Sequence, residues 1–301
     1  MRGDGNLNAP TTRWAGIMRG LTTTDFEQSN VEYVDFWVLD PFLKNPNPNE
    51  NEGTMYIHLG DISEDILKDG RKAYENGLPS PENPDFKIDK SPWGIVPRTE
   101  IPLPNSFSAS DAAREAQDVG LDGMKDDQET SFYSDWLSKF SPIPTKIAAD
   151  PANDNFTYYN DEGAYPKGTP VLDRYERFNG LQGNSASNAG SQIQSATNLP
   201  DAEDINRDNS FEENEAYFSY KIPISRNAFN PLTNKYYIEN TPDPNGSGRI
   251  WHHFRVPIDA FDSKHGAIND FRSIRFMRIV VKDFAQPVCL RFAKLDLIRN
   301  Q

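Results

Sequence analysis

Oxygen-bearing side chains recur at positions 1, 3, 5, 7, 9 and 12 of the window 204–215: Asp204, Asn206, Asp208, Ser210, Glu212 and Glu215. This is the ligand spacing of an EF-hand-type loop, in which six to eight oxygens converge on one hard cation. Position 6 is Asn209 where such loops carry glycine, and asparagine tolerates the left-handed backbone better than most residues. A looser copy spans 118–129, with Asp118, Asp122, Asp126 and Glu129 at positions 1, 5, 9 and 12 and Gly123 at the turn. Met124, at position 7, can offer only its carbonyl, and Gly120 leaves position 3 without a side-chain oxygen. Asp150, Asp154, Asp161 and Glu162 are further donors nearby. Both windows predict structural Ca2+; the competing reading of each is a solvated surface built on Asx turns.

Other chemistry finds little support. His252 and His253 are adjacent on an expected strand, so their rings point to opposite faces and cannot share a metal. His58 and His265 have no cysteine or histidine partner at zinc spacing. Cys289 sits in an apolar run and reads as a core filler. The trio Ser63, Glu64 and Asp65 reads as a helix cap. There is no nucleophile elbow, phosphate loop or dinucleotide fingerprint, so an enzyme is not expected.

The formal net charge of −14 argues against nucleic acid as a partner, because phosphate binding needs a basic face. The charge is concentrated: residues 111–215 hold 21 acidic and 8 basic side chains. A single cysteine allows no internal disulfide. No apolar run is long enough to span a bilayer as a helix.

The elements that must position the windows follow from periodicity. Residues 13–20, 31–39 and 55–59 read as strands before the acidic region. Residues 216–224, 250–258, 273–281 and 288–298 read as strands after it. In the second, Val34, Phe36 and Val38 alternate with Tyr33, Asp35 and Trp37, the pattern of a half-buried strand. Residues 44–53 and 183–198 read as loops, and 77–105 as an irregular proline-rich segment. Ser110 is placed to cap a helix over 111–117, Ser63 to cap a helical turn over 63–70, and 131–140 has a helical pattern. Neither strand set makes a core alone. Together they predict a mainly β fold, an antiparallel β-sandwich of jelly-roll or galactose-binding-like shape, formed by 1–105 and 216–301. Residues 106–215 would be a long, partly helical, loop-rich insertion with a cation window at each end, clamped to the sandwich by bound ions.

Three stretches resemble the SprA family, called Sov in some species. They are residues 14–19 (WAGIMR) with 24–26 (TDF), 31–37 (VEYVDFW) and 40–42 (DPF); 59–70 (LGDISEDILKDG); and 274–278 (IRFMR) running to 290–295 (LRFAKL). In the insertion, residues 117–123 (QDVGLDG), Arg174 with Tyr175, and 201–208 (DAEDINRD) look like the same family. The resemblance implies an internal segment of the large outer-membrane translocon of the type IX secretion and gliding-motility system. It implies as partners the remainder of the translocon barrel, outer-membrane partner proteins and secreted cargo, with membrane contact only through the full-length protein. This segment lacks the repeated ten-residue alternating strands of a barrel wall, which points to an extra-membrane domain; the two cation windows favour the extracellular side, at the cell surface, over the periplasmic. A carbohydrate-binding module is the alternative, and it would need Trp14, Trp37, Trp93, Trp136 or Trp251 aligned along a groove.

Overall fold

The structure, a computed structural model, describes residues 1–42, 52–98, 105–185 and 195–299. The expected loop at 44–53 lies outside them except at its last two residues, as does most of the one at 183–198. Among the described residues the strands are β1 (Trp14–Gly20), β2 (Val31–Leu39), β3 (Gly53–Asp61), β4 (Ile88–Lys90), β5 (Ile95–Pro97), β6 (Ala216–Ile224), β7 (Tyr237–Pro242), β8 (Ile250–Pro257), β9 (Ser263–His265), β10 (Phe276–Lys282) and β11 (Phe292–Arg299). Short helices fall between β5 and β6: α1 (Asp111–Gln117), α2 (Asp126–Phe132), α3 (Ser134–Leu137), α4 (Thr145–Ala149) and α5 (Val171–Tyr175). None is long and apolar enough to cross a membrane.

The chain divides into two compact units. One comprises Ala9–Ser63 and Asn214–Gln301, the other Met1–Asn8 and Glu64–Glu213. The second unit therefore takes in residues 64–98 as well as the acidic region.

The first unit is an antiparallel sandwich. One sheet runs β1-β10-β3-β6-β9 and the other β11-β2-β8-β7. Alternation explains the inner face. Val34, Phe36 and Val38 of β2 pair with Val256, Phe254 and His252 of β8, and the Phe36 and Phe254 rings stack at 5.2 Å. They share one core with Met55, Ile57 and Leu59 of β3, Phe218, Tyr220, Ile222 and Ile224 of β6, and Met277 and Ile279 of β10. The intervening residues of β2 and β8 meet on the opposite face. There the Asp35 carboxylate accepts from His253 Nε2 at 2.9 Å and from Arg255 Nε at 2.6 Å. Trp37 stacks flat on the His253 ring at 4.4 Å. His252 stacks instead on Phe229 at 3.8 Å, so the two histidines do part to opposite faces. His58 is held neutral, its pKa lowered to about 4 by burial and then by the Arg278 guanidinium.

Several local expectations shift. Residues 63–70 form bends, not a helical turn. The Asp65 carboxylate accepts from the N–H groups of Asp69 (3.1 Å) and Gly70 (3.0 Å), offering the backbone an alternative to helical bonds. The helical pattern at 131–140 is realised as α2 and α3, and α2 starts five residues early, inside the 118–129 window. Ser110 does cap α1, accepting from the Ala113 N–H at 3.1 Å. Cys289 lies half-buried in the approach to β11, which begins at Phe292. Strand β7 has no apolar alternation to reveal it, because five of its six residues are exposed.

Gly60 faces the β6 backbone at close range: a Cβ there would lie 2.2 Å from the Ala216 carbonyl oxygen and 2.6 Å from Tyr217 Cα. Backbone cannot step aside, so Gly60→Ala is expected to lower sandwich stability by about 1–3 kcal/mol in urea unfolding. Gly16→Ala is the contrast. It sits on edge strand β1 with its nearest neighbour at 3.3 Å, and a shift within about 0.5 kcal/mol is expected.

Candidate cation sites

The Glu64–Glu213 unit has little apolar core to organise it. One of its apolar clusters joins only Ala73, Val96 and Leu121, with Leu67 and Leu181 against it. Buried carboxylates do the organising instead. Glu75 accepts from the N–H groups of Val119 (3.0 Å), Gly120 (2.8 Å) and Asp201 (2.7 Å). Glu203 accepts from Leu67 (2.9 Å) and Ala73 (2.8 Å). Glu64 accepts from Ile205 (2.8 Å), Asn206 and Glu212 (both 3.3 Å). All three glutamates are fully buried. Burial outweighs the favourable N–H bonds and raises Glu75 to about 9 and Glu203 to about 7. Arg174 plays the opposite part: its guanidinium donates to the carbonyls of Tyr159, Tyr165, Pro166 and Thr169.

The 204–215 window adopts the turn geometry its spacing implies. Asp204 Oδ1 accepts from the Asp208 N–H at 3.0 Å and Oδ2 from the Asn209 N–H at 2.9 Å. Asn209 takes a left-handed φ of 66°, as its type permits, and Arg207 one of 59°. Asn206 Oδ1 accepts from the Asp208 N–H, Asp208 Oδ1 from the Ser210 N–H, and Ser210 Oγ donates to Glu212. Two positions already hold counter-charges. Lys72 Nζ lies 2.8 Å from Asp204 Oδ2. Glu215 belongs to the sandwich unit, where Arg278 grips it with both Nη atoms at 2.8 and 3.0 Å.

The 118–129 window is split between two surroundings. Asp118 accepts from the Ser185 N–H and hydroxyl, and its Oδ1 is buried without a partner among the described residues. Asp122 Oδ1 accepts from the N–H of buried Met124 at 3.0 Å. Asp126 and Glu129, on α2, face the turn 150–155. Asn155 Nδ2 donates to Asp126 at 2.9 Å, and the Ala152 N–H to Glu129 Oε2 at 2.7 Å. Asp150 Oδ1 accepts from the Asp154 N–H at 3.0 Å. Ligand oxygens of Asp126, Glu129 and Asp150 all lie within 4.8 Å of one another. Burial first, then repulsion among these carboxylates, raises Asp122 and Glu129 to about 7 and Asp154 to about 8. Asp150 and Asp154, secondary donors in the sequence, thus stand beside the window's own carboxylates. Asp161 instead turns its carboxylate to the N–H groups of Gly163 and Ala164.

Glu75 gives a direct test of the clamps. Glu75→Ala would orphan three N–H groups, each costing about 1–3 kcal/mol when buried. The folded pKa of about 9 lies above the ordinary 4.5, so the glutamate's contribution is present at low pH and lost as pH rises through about 9. The stability gap between wild type and Glu75→Ala in urea unfolding should therefore be wider at pH 6 than at pH 9.5.

No curated protein matches this chain. A family model does, over residues 137–301, which is more than half of the sequence. That stretch runs from α3 through the second cation window to the end of the sandwich. The chain belongs to this family, SprA_N, described as motility related/secretion protein.

Proposed function

We propose that the chain is a non-catalytic extra-membrane domain of a SprA-like type IX secretion translocon, with structural Ca2+ in its acidic unit. The family match is the observation that carries the export role. The sandwich supports the extra-membrane placement. Its strands close two sheets around a private core, and the other face of β2 and β8 carries Asp35, His253 and Arg255, whereas barrel wall would present an apolar band there. Partners on this reading are the remainder of the barrel, outer-membrane partner proteins and secreted cargo. The extracellular side suits the cation windows, because a loop-rich unit there can draw on external calcium.

The disposition of the tryptophans weighs against a sugar-binding platform. Trp37 is covered on one face by His253, and Trp136 packs edge-on against Tyr133 and Phe140. The two well-exposed rings, Trp14 and Trp93, belong to different units.

Cells whose translocon lacks this segment should release less cargo and glide poorly while still inserting the barrel. Cargo release equal to that of the parent strain would refute the export role. An epitope placed at exposed Leu232 should be reached by antibody on intact cells; labelling only after permeabilisation would overturn the extracellular assignment.

A further inference from the structure

The strongest unassigned feature is a knot of five carboxylates shared between α2, the Asp122 turn and residues 150–154. Asp122, Glu129 and Asp150 are each more than nine-tenths buried. Three buried carboxylate oxygens, Asp122 Oδ2, Glu129 Oε1 and Asp154 Oδ1, have no hydrogen-bond partner among the described residues. The cluster's one ion pair among the described residues is Arg177 with Asp150, stretched to 3.9 Å. One guanidinium at that distance does not neutralise five acids.

The geometry points to a single hard divalent cation, of the calcium class, bound by Asp122, Asp126, Glu129, Asp150 and Asp154. This deepens the structural-cation part of the proposed function and rests on it. The ligand set differs from the 118–129 window that the spacing suggests: it leaves out Asp118 and Met124 and recruits two residues more than twenty positions downstream.

Calcium–oxygen bonds of about 2.3–2.6 Å let two ligands on one ion stand up to about 5 Å apart, and three of the five, Asp126, Glu129 and Asp150, have oxygens within 4.8 Å of one another. The donor set is all oxygen, which selects a hard cation over zinc or copper. Four of the five carboxylates are oriented by a hydrogen bond. Met124 N–H fixes Asp122, Ala152 N–H fixes Glu129, Asp154 N–H fixes Asp150, and Asn155 holds Asp126. Such supporting bonds are how metal ligands are aimed. Gly120 keeps room for the fifth: a Cβ there would lie 2.4 Å from Asp154 Oδ2.

Two variants of the 301-residue chain test this against a third. Glu129→Gln keeps an acceptor for the Ala152 N–H and removes one ligand charge, and Asp154→Asn does the same at the other end of the site. Asp204→Asn alters the other window. In calorimetric titration with CaCl2, wild type and Asp204→Asn should bind calcium alike, while Glu129→Gln and Asp154→Asn should bind at least tenfold more weakly. The melting temperatures should cross over. With calcium both variants melt below wild type, and with EDTA they melt at or above it, because a repelling charge is gone. That crossover also excludes a mere folding defect, which would lower both melts. Wild-type affinity retained in Glu129→Gln and Asp154→Asn would overturn the ligand set. Affinity lost only in Asp204→Asn would overturn it too, while leaving structural calcium in place. No calcium heat in wild type would overturn both this site and the structural-cation reading.

Discussion

A carboxylate can tie distant loops together by accepting their backbone N–H bonds, but only where it is buried beside them, and burial opposes its charge. The acidic unit depends on that opposition. Glu203 links Leu67 and Ala73 to a residue 130 or more positions away, and Glu64 reaches Ile205 across 141. Contacts of such range in a sheet protein come from strand ladders. Here they come from three glutamate side chains together with backbone bonds that join the same segments, Glu64 to Glu212, Glu75 to Asp201 and Glu203 to Ala73. Each clamp satisfies two or three amides that would otherwise be orphaned, and an orphaned buried amide costs about 1–3 kcal/mol. Together these clamps add to a small apolar core.

The sandwich solves the same problem by the opposite means. Period-two alternation places Val34, Phe36, Val38, Phe254 and Val256 inside without any polar device. There buried Asp35 meets His253 and Arg255, and half-buried Glu215 meets Arg278. The acidic unit has fewer such matches. Its aromatic group of Tyr159, Tyr175 and Phe178 is only half buried, and the Arg174 guanidinium donates to four carbonyls.

These two economies were unequally visible in the sequence. The strands of the sandwich follow from alternation, which is local, and β2 and β6 emerge with the bounds the pattern implies. Strand β7 and the short pair β4–β5 do not, because β7 is exposed at five of its six positions and β4 and β5 are three residues each, too short to show a period. The clamps are harder still. Glu64 reads locally as a helix cap, yet its carboxylate serves amides beyond residue 200. No spacing rule connects them. Ser110 is the converse case: its partner is three residues away, so its role as a cap is written in the local sequence.

The two cation windows show what spacing can and cannot carry. Spacing records how a loop folds back on its first aspartate, and the 204–215 segment does fold that way, with Asp204 receiving the N–H groups of Asp208 and Asn209. An ion requires something further: negative charge that the protein itself leaves uncompensated. Lys72 answers Asp204 and Arg278 answers Glu215, so the better-spaced window has the smaller electrostatic demand. In the poorer-spaced one Asp118 turns to Ser185, while Asp126 and Glu129 stand beside Asp150 from a separate turn. Counter-charge and burial, not the twelve-residue period, therefore rank the two. The same reasoning explains how a unit with a small apolar core tolerates so acidic a composition. Clamping glutamates such as Glu75, raised to about 9, can shed their charge by keeping a proton. Where carboxylates crowd together, as Asp126, Glu129 and Asp150 do, a shared cation would shed it more completely.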